Sequence, residues 1–219
     1  MFIPVDTHEL STKLPPAYCF GLPDPDDVHD EGFGFFIGVW PIVGGTFENA
    51  SAILDQEEAV FQLVAAASND AEEFEEWASW AEYYNSDAGL EWGDAPPDAE
   101  VGQRIDDEMT YEASLLGLDL GVAGLVYTLA AAGFYPAASC RGHATATAWS
   151  TRPVVLFAST DEAARLLQPM VVSTGCGFVD GSGNGVLIGV EAPSAVQMIA
   201  LARAILDQGV KLVVEVLDA

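Results

Sequence analysis

The feature that most constrains this fold is a regular alternation of apolar strands and amphipathic helices across residues 153–216. "PVVLFA" (153–158) precedes a helical pattern over 161–174 and an apolar run over 176–180. "GVLIGVE" (185–191) precedes a helical pattern over 194–208 and "VKLVVEV" (210–216). Short apolar runs bounded by turn residues read as strands, and apolar spacings of three and four read as helices. The two halves form a faint internal repeat, "VVLFASTDEAARLLQPMVVSTGCGFV" against "VLIGVEAPSAVQMIALARAILDQGVKLV", joined by the hairpin-type turn "VDGSGNG". The order βαββαβ predicts a ferredoxin-like α+β unit, the split βαβ arrangement. A helix over 119–132, capped by Asp119 and stopped by Gly133, and a strand over 134–139 extend it at its N-terminal side. Gly121 and Gly124 cost that helix about 1 kcal/mol each relative to alanine, so they are expected to serve close packing.

The chain upstream has a different character. Its first 45 residues are dense in Pro, Gly and Asp, the residues of turns. "DPDDVHDE" (24–31) gathers five acids around His29 but lacks the ligand rhythm of a calcium loop. "FGFFIGVWPIV" predicts a buried strand, and residues 51–67 a helix with Ile53, Val60, Val64 and Ala67 on one side. Asn69 or Asp70 caps a second helix, with Glu73 completing a capping box and Phe74, Trp77, Ala78, Ala81 and Tyr84 on its apolar face. A loop-like composition over 89–108 predicts a boundary, giving an acidic, mostly helical and irregular region at 1–108 and an α+β domain at 109–219.

Charge follows the same division. Of the net −27, residues 1–115 contribute −24, with 26 acids against Lys13 and Arg104, whereas 116–219 contribute −3, with 8 acids against 5 bases. Glu72, Glu73, Glu75, Glu76 and Glu82 are placed on the side of the second helix opposite its aromatic face, with no Lys or Arg to pair along it, which costs the helix stability. The first four are the candidate contacts for a partner. Such a field repels nucleic acid and anionic lipid and attracts basic proteins or cations. An acidic face kept for a basic partner and a merely solvated helix face are both compatible with the pattern.

One short stretch carries the chemistry. "AASCRGHATATAW" (137–149) places Cys140, Arg141 and His143 together in a chain of 3 cysteines, 3 histidines and 5 arginines. Ser139, Arg141 and the amides near Gly142 suit a phosphate or carboxylate. Cys140 with His143 suits a thiolate and its base. Cys-x-x-His also supplies half of a metal site, with Cys19, Cys176, His8 and His29 as scattered candidates for the rest. A well-furnished structural turn accounts for the same residues, so no metal and no cofactor is assigned.

The stretch "GLVYTLAAAGFYPAASCRGH" (124–143) resembles a pattern of small bacterial and phage proteins in which an apolar strand leads into Ser-Cys-x-Gly-His. It is more distantly similar to the Ser-Cys-Ser-Gly-Arg stretch of the tRNA wybutosine-synthesis methyltransferase family that acts at the N4-methylation step. That resemblance implies a site for S-adenosylmethionine and tRNA near Ser139, Cys140 and Gly142. Arg141 and His143 depart from the motif, and a net charge of −27 opposes tRNA as a partner.

Established catalytic signatures are missing: there is no phosphate-binding G-x-x-x-x-G-K-[ST], no G-x-G-x-x-G opening a helix, no G-x-S-x-G and no H-E-x-x-H. No apolar run reaches the length of a membrane helix, no leader-like start is evident, and the odd cysteine count fits a reduced, cytoplasmic protein. The leading expectation is an acidic interaction module engaging a basic protein, of the immunity, inhibitor or nucleic-acid-mimic type. A small-ligand or enzyme domain centred on residues 139–143 is the alternative. A structural homo-oligomer joined through "FFIGVW" and Trp77/Trp80 is the third.

Overall fold

The structure is a computed structural model describing residues 1–23, 28–29, 32–33, 45–84, 96–109, 115, 117–143, 150–184, 186–209 and 212. A short antiparallel pair, β1 (Val28–His29) and β2 (Gly32–Phe33), precedes three helices. These are α1 (Phe47–Ala67), α2 (Ala71–Tyr84) and α3 (Ala99–Glu108). Then follow α4 (Ala123–Ala131), β3 (Tyr135–Cys140), β4 (Val154–Ala158), α5 (Asp161–Ser173), β5 (Gly177–Asp180), β6 (Ile188–Glu191) and α6 (Ala195–Gln208). The fold is α+β, and no described helix is long and apolar enough to cross a membrane.

Local chemistry explains the helix starts. Thr46, Asp98 and Thr160 accept amide hydrogens of the first turns of α1, α3 and α5. At α2 the capping box forms in both directions: Asp70 accepts from the amides of Glu72 and Glu73, and Glu73 accepts from the amide of Asn69. Phe74, Trp77, Ala78 and Ala81 are buried as the spacing predicts. Trp77 stands edge-on to Trp80 in the core, so it is not the exposed interface aromatic of the oligomer expectation. The "FFIGVW" stretch (35–40) lies outside the described residues.

The larger sheet runs β3-β4-β6-β5 with every neighbour antiparallel. β6 is inserted between β4 and β5, which α5 connects. β3 occupies the free edge of β4, Cys140 opposite Val154. The strand expected over 210–216 lies outside the described residues except Leu212, whose amide donates to the Ala132 carbonyl. All five β4 residues are buried because both sheet faces are covered. Val155 and Phe157 face the main core with α1, α2, α4 and α6, while Val154, Leu156 and Ala158 share a smaller cluster with Ala137, Cys140 and Leu187.

The main core draws continuously on residues from both sides of the boundary expected near 108. At its centre lies α4, buried on every side and apolar all round, as a central helix must be. It is shorter than the 119–132 expected because 119–122 form a turn that serves the site below. Gly124 is needed there: a Cβ would lie 2.6 Å from both Glu57 Oε2 and Leu54 Cδ1 of α1.

Candidate functional site

The site forms where the end of β3 meets α2 and the turn before α4. β3 carries Cys140 into the sheet, and the chain then turns at Gly142, whose φ is +83°. A Cβ at Gly142 would sit 2.5 Å from the Arg152 carbonyl carbon, so glycine is required twice over, by conformation and by space. The turn sends Arg141 and His143 back across α2.

Arg141 is the hub. Its side chain is 2% exposed, with Nε donating to Glu82 Oε1 at 2.9 Å and Nη1 to Glu75 Oε2 at 2.7 Å. Nη2 reaches Glu82 Oε2 at 3.0 Å and Glu75 Oε1 at 3.4 Å. Glu75 and Glu82 are two helical turns apart, so they present their carboxylates on one face of α2 as a clamp for one guanidinium. Burial drives Glu82 upward, opposed by Arg141. Burial also raises Glu75, but the bonds from Arg141 and His143 outweigh it and hold that carboxyl below its ordinary value.

His143 lies between two carboxylates, with Nδ1 2.6 Å from Glu75 Oε1 and Nε2 3.1 Å from Asp119 Oδ2. Asp119 foremost, then Cys140 and Glu75, push its imidazole up to about 11. Both ring nitrogens are engaged by carboxylates, which favours the imidazolium and leaves neither nitrogen directed at the Cys140 thiol alone. Burial raises Asp119 too, but His143 and the Arg141 amide, donating at 2.9 Å, hold it low.

A second buried carboxylate supports the same turn. Glu57, fully buried in α1, accepts from the amides of Gly121, Ala123 and Gly124 at 2.8–2.9 Å. It therefore caps α4 from another helix, the task expected of Asp119, and frees Asp119 for His143. Burial pushes Glu57 up to about 7 against these three bonds. Glu82 also accepts from the Leu120 amide at 2.7 Å, so the 119–124 turn is held by carboxylates from both α1 and α2.

Beside the network opens a cavity of about 460 Å³. Glu75, Arg141, Gly142 and His143 form one wall, Asp6 and His8 of the N-terminal segment another, and Pro4, Val5, Phe74, Pro153, Pro193 and Ala195 much of the rest. The segment is fixed there by the Asp6 amide donating to the Pro193 carbonyl and by Asp6 facing Arg152 at 3.7 Å. Arg152 in turn pairs with Glu191 at 3.2 Å.

Several sequence expectations change in this setting. Arg141 is not a free anion binder, because every guanidinium nitrogen already meets a carboxylate. The four acids of α2 do not make one face: Glu72 and Glu76 are exposed, Glu73 closes the capping box, and Glu75 turns into the site. Ser139 stays half-buried in β3 opposite Val155 and away from the cavity lining. Cys140 is 2% exposed and receives the Gly142 amide at 3.4 Å. Cys19 and Cys176 are buried elsewhere, bonded to Asp180 and to the Gln197 carbonyl. Glu82, expected on the solvated acidic side of α2, is instead turned in against Arg141. The site partners that sequence reasoning missed are Asp119 and Glu57. Among the described residues, Asp119, Cys140 and His143 form the group able to share a metal ion, their ligand atoms all within 4.8 Å of one another.

Comparison with protein-family models, with curated proteins and with solved structures gave no match.

Proposed function

We propose that this chain binds a small polar ligand, neutral or cationic, in the cavity beside the 139–143 turn. The observation that carries this reading is the convergence of a rigid charged network on a largely apolar cavity. A volume of about 460 Å³ is in the range of small-molecule sites, which combine apolar walls with a few fixed polar groups. Glu75 and His143 are such groups, immobilised by Arg141 and Asp119 rather than free to follow solvent. An anion is disfavoured because both cations of the wall are already paired, and because the chain carries −27. The same reading takes β4-α5-β5-β6-α6 as the body of a ferredoxin-like unit in which β3 occupies the edge of β4 where the fourth strand of such a unit pairs.

A thermal-shift screen of small amines, guanidines and neutral polar metabolites tests the proposal. Ala71 lies on the exposed rim of the cavity and outside the ion network, so Ala71→Trp narrows the opening without removing a charge. A stabilising compound should lose at least about tenfold in affinity in that variant, equivalent to about 1.4 kcal/mol. A screen without a stabiliser, or a binder indifferent to Ala71→Trp, contradicts the proposal.

A second reading rests on a separate observation, the exposed acids Glu72 and Glu76 of α2 with Glu100, Asp107 and Glu108 of α3. They suit a basic protein partner, steered by charge and released by salt. Replacing Glu72 and Glu76 by Gln should slow such an association at low salt. An unchanged on-rate would remove this reading.

A further inference from the structure

The geometry points to a divalent transition-metal site, of zinc type, formed by Asp119 Oδ2, Cys140 Sγ and His143 Nε2. This goes beyond the cavity reading and stands without it, since the ion needs no small ligand in order to bind.

Three donor types that the sequence keeps 3 to 24 positions apart are brought within 4.8 Å of one another. Tetrahedral zinc, with bonds of about 2.0–2.3 Å, needs its ligand atoms roughly 3.3–3.8 Å apart. His143 Nε2 and Asp119 Oδ2 are already 3.1 Å apart, so an ion entering between them asks for a displacement of a few tenths of an ångström at that pair. A nitrogen, a carboxylate oxygen and a sulfur suit zinc or cobalt better than magnesium or calcium, which prefer oxygen alone.

The outer shell is the stronger argument. A metal-bound histidine needs its other ring nitrogen held by a carboxylate or carbonyl, and ligating carboxylates are themselves hydrogen-bonded. Here Glu75 holds His143 Nδ1 at 2.6 Å, and Arg141 fixes Glu75 in turn. Asp119 Oδ2 receives the Arg141 amide at 2.9 Å, and Cys140 Sγ receives the Gly142 amide at 3.4 Å. Each ligand therefore has an outer partner that remains after the ion takes the place of the His143–Asp119 bond. The exchange balances: a divalent ion enters, one proton leaves the imidazolium Nε2 and one leaves the thiol, and the net charge of the cluster is unchanged. Three protein ligands leave a fourth position for water or another donor, the pattern of reactive rather than purely structural zinc sites.

Cobalt(II) is the probe, because a sulfur ligand gives a thiolate-to-cobalt charge-transfer band that surface carboxylates cannot. The full chain, stripped with chelator, is titrated with Co²⁺ and then with Zn²⁺. The expected result is a charge-transfer band saturating at one equivalent, bleached by zinc and absent in Cys140→Ser. Glu75→Gln should keep the band but weaken affinity by about 10–100-fold. Far-UV circular dichroism confirms that each variant is folded. No band in the folded wild-type chain overturns the site, as does a band that survives in both His143→Ala and Asp119→Ala.

Discussion

Replacing Arg141 with methionine tests the physics of the site most severely. The guanidinium meets two carboxylates, and the three side chains are 2%, 23% and 12% exposed for Arg141, Glu75 and Glu82. Methionine keeps much of the volume and removes the charge, leaving two poorly solvated carboxylates facing each other across α2. Breaking a buried pair from one side costs about 3–5 kcal/mol, whereas deleting both sides together costs far less. In a chain of this size each kcal/mol lowers the melting temperature by about 2–4 °C, so Arg141→Met should melt roughly 6–20 °C lower. Adding Glu82→Gln to that variant removes the more buried of the stranded charges, and should recover about half of the loss. Urea unfolding of wild type, single and double variants gives the three free energies and their coupling. A single variant within 1 kcal/mol of wild type, or a double variant no better than the single, refutes the reasoning. The same estimate makes Arg141→Ala unsuitable for testing ligand contacts, since loss of binding would follow from loss of structure.

Two further outcomes follow from neighbouring residues. Glu57 titrates at about 7 in the folded chain against 4.5 in the unfolded one, so its contribution is fully present below pH 4.5 and is lost as pH rises through 7. That is worth about 3 kcal/mol; urea unfolding at pH 4.5 and 7.5 should show wild type losing this much more than Glu57→Gln, and parallel pH profiles would refute it. Gly142→Ala should cost at least about 2 kcal/mol, from positive φ and collision with Arg152, and an unchanged melting temperature would contradict the turn described here.

How far the sequence carries depends on where the determining contacts lie. The β4-α5-β5 and β6-α6 segments, the Asp70–Glu73 capping box and the buried stripe of α2 depend on neighbours within a few residues, and each is where its local pattern placed it. The close-packing role of Gly124 was also legible, because glycine inside an apolar helix needs a reason. Asp119 was not: an acid before an apolar run has the look of a cap, and only tertiary structure hands the cap to Glu57 and turns Asp119 to His143. Glu57 did leave a trace, as a charge within the stripe Ile53, Val60, Val64, and such a charge must find buried partners. Glu75 and Glu82 are spaced to share a face, but the cation they clamp lies 59 and more residues away, beyond any helical period. That long-range pairing also explains how α2 tolerates Glu75 and Glu82 without a base of its own.

The most direct measurement is the ¹H–¹⁵N correlation spectrum of the chain during titration with the best stabilising compound from the screen. If the cavity is the site, the perturbed amides belong to residues 5–8, 71–75, 141–143 and 151–152, and they shift along one saturating isotherm. Perturbations confined to the exposed acids of α2 and α3, or scattered without saturation, would contradict the assignment of the cavity as the ligand site.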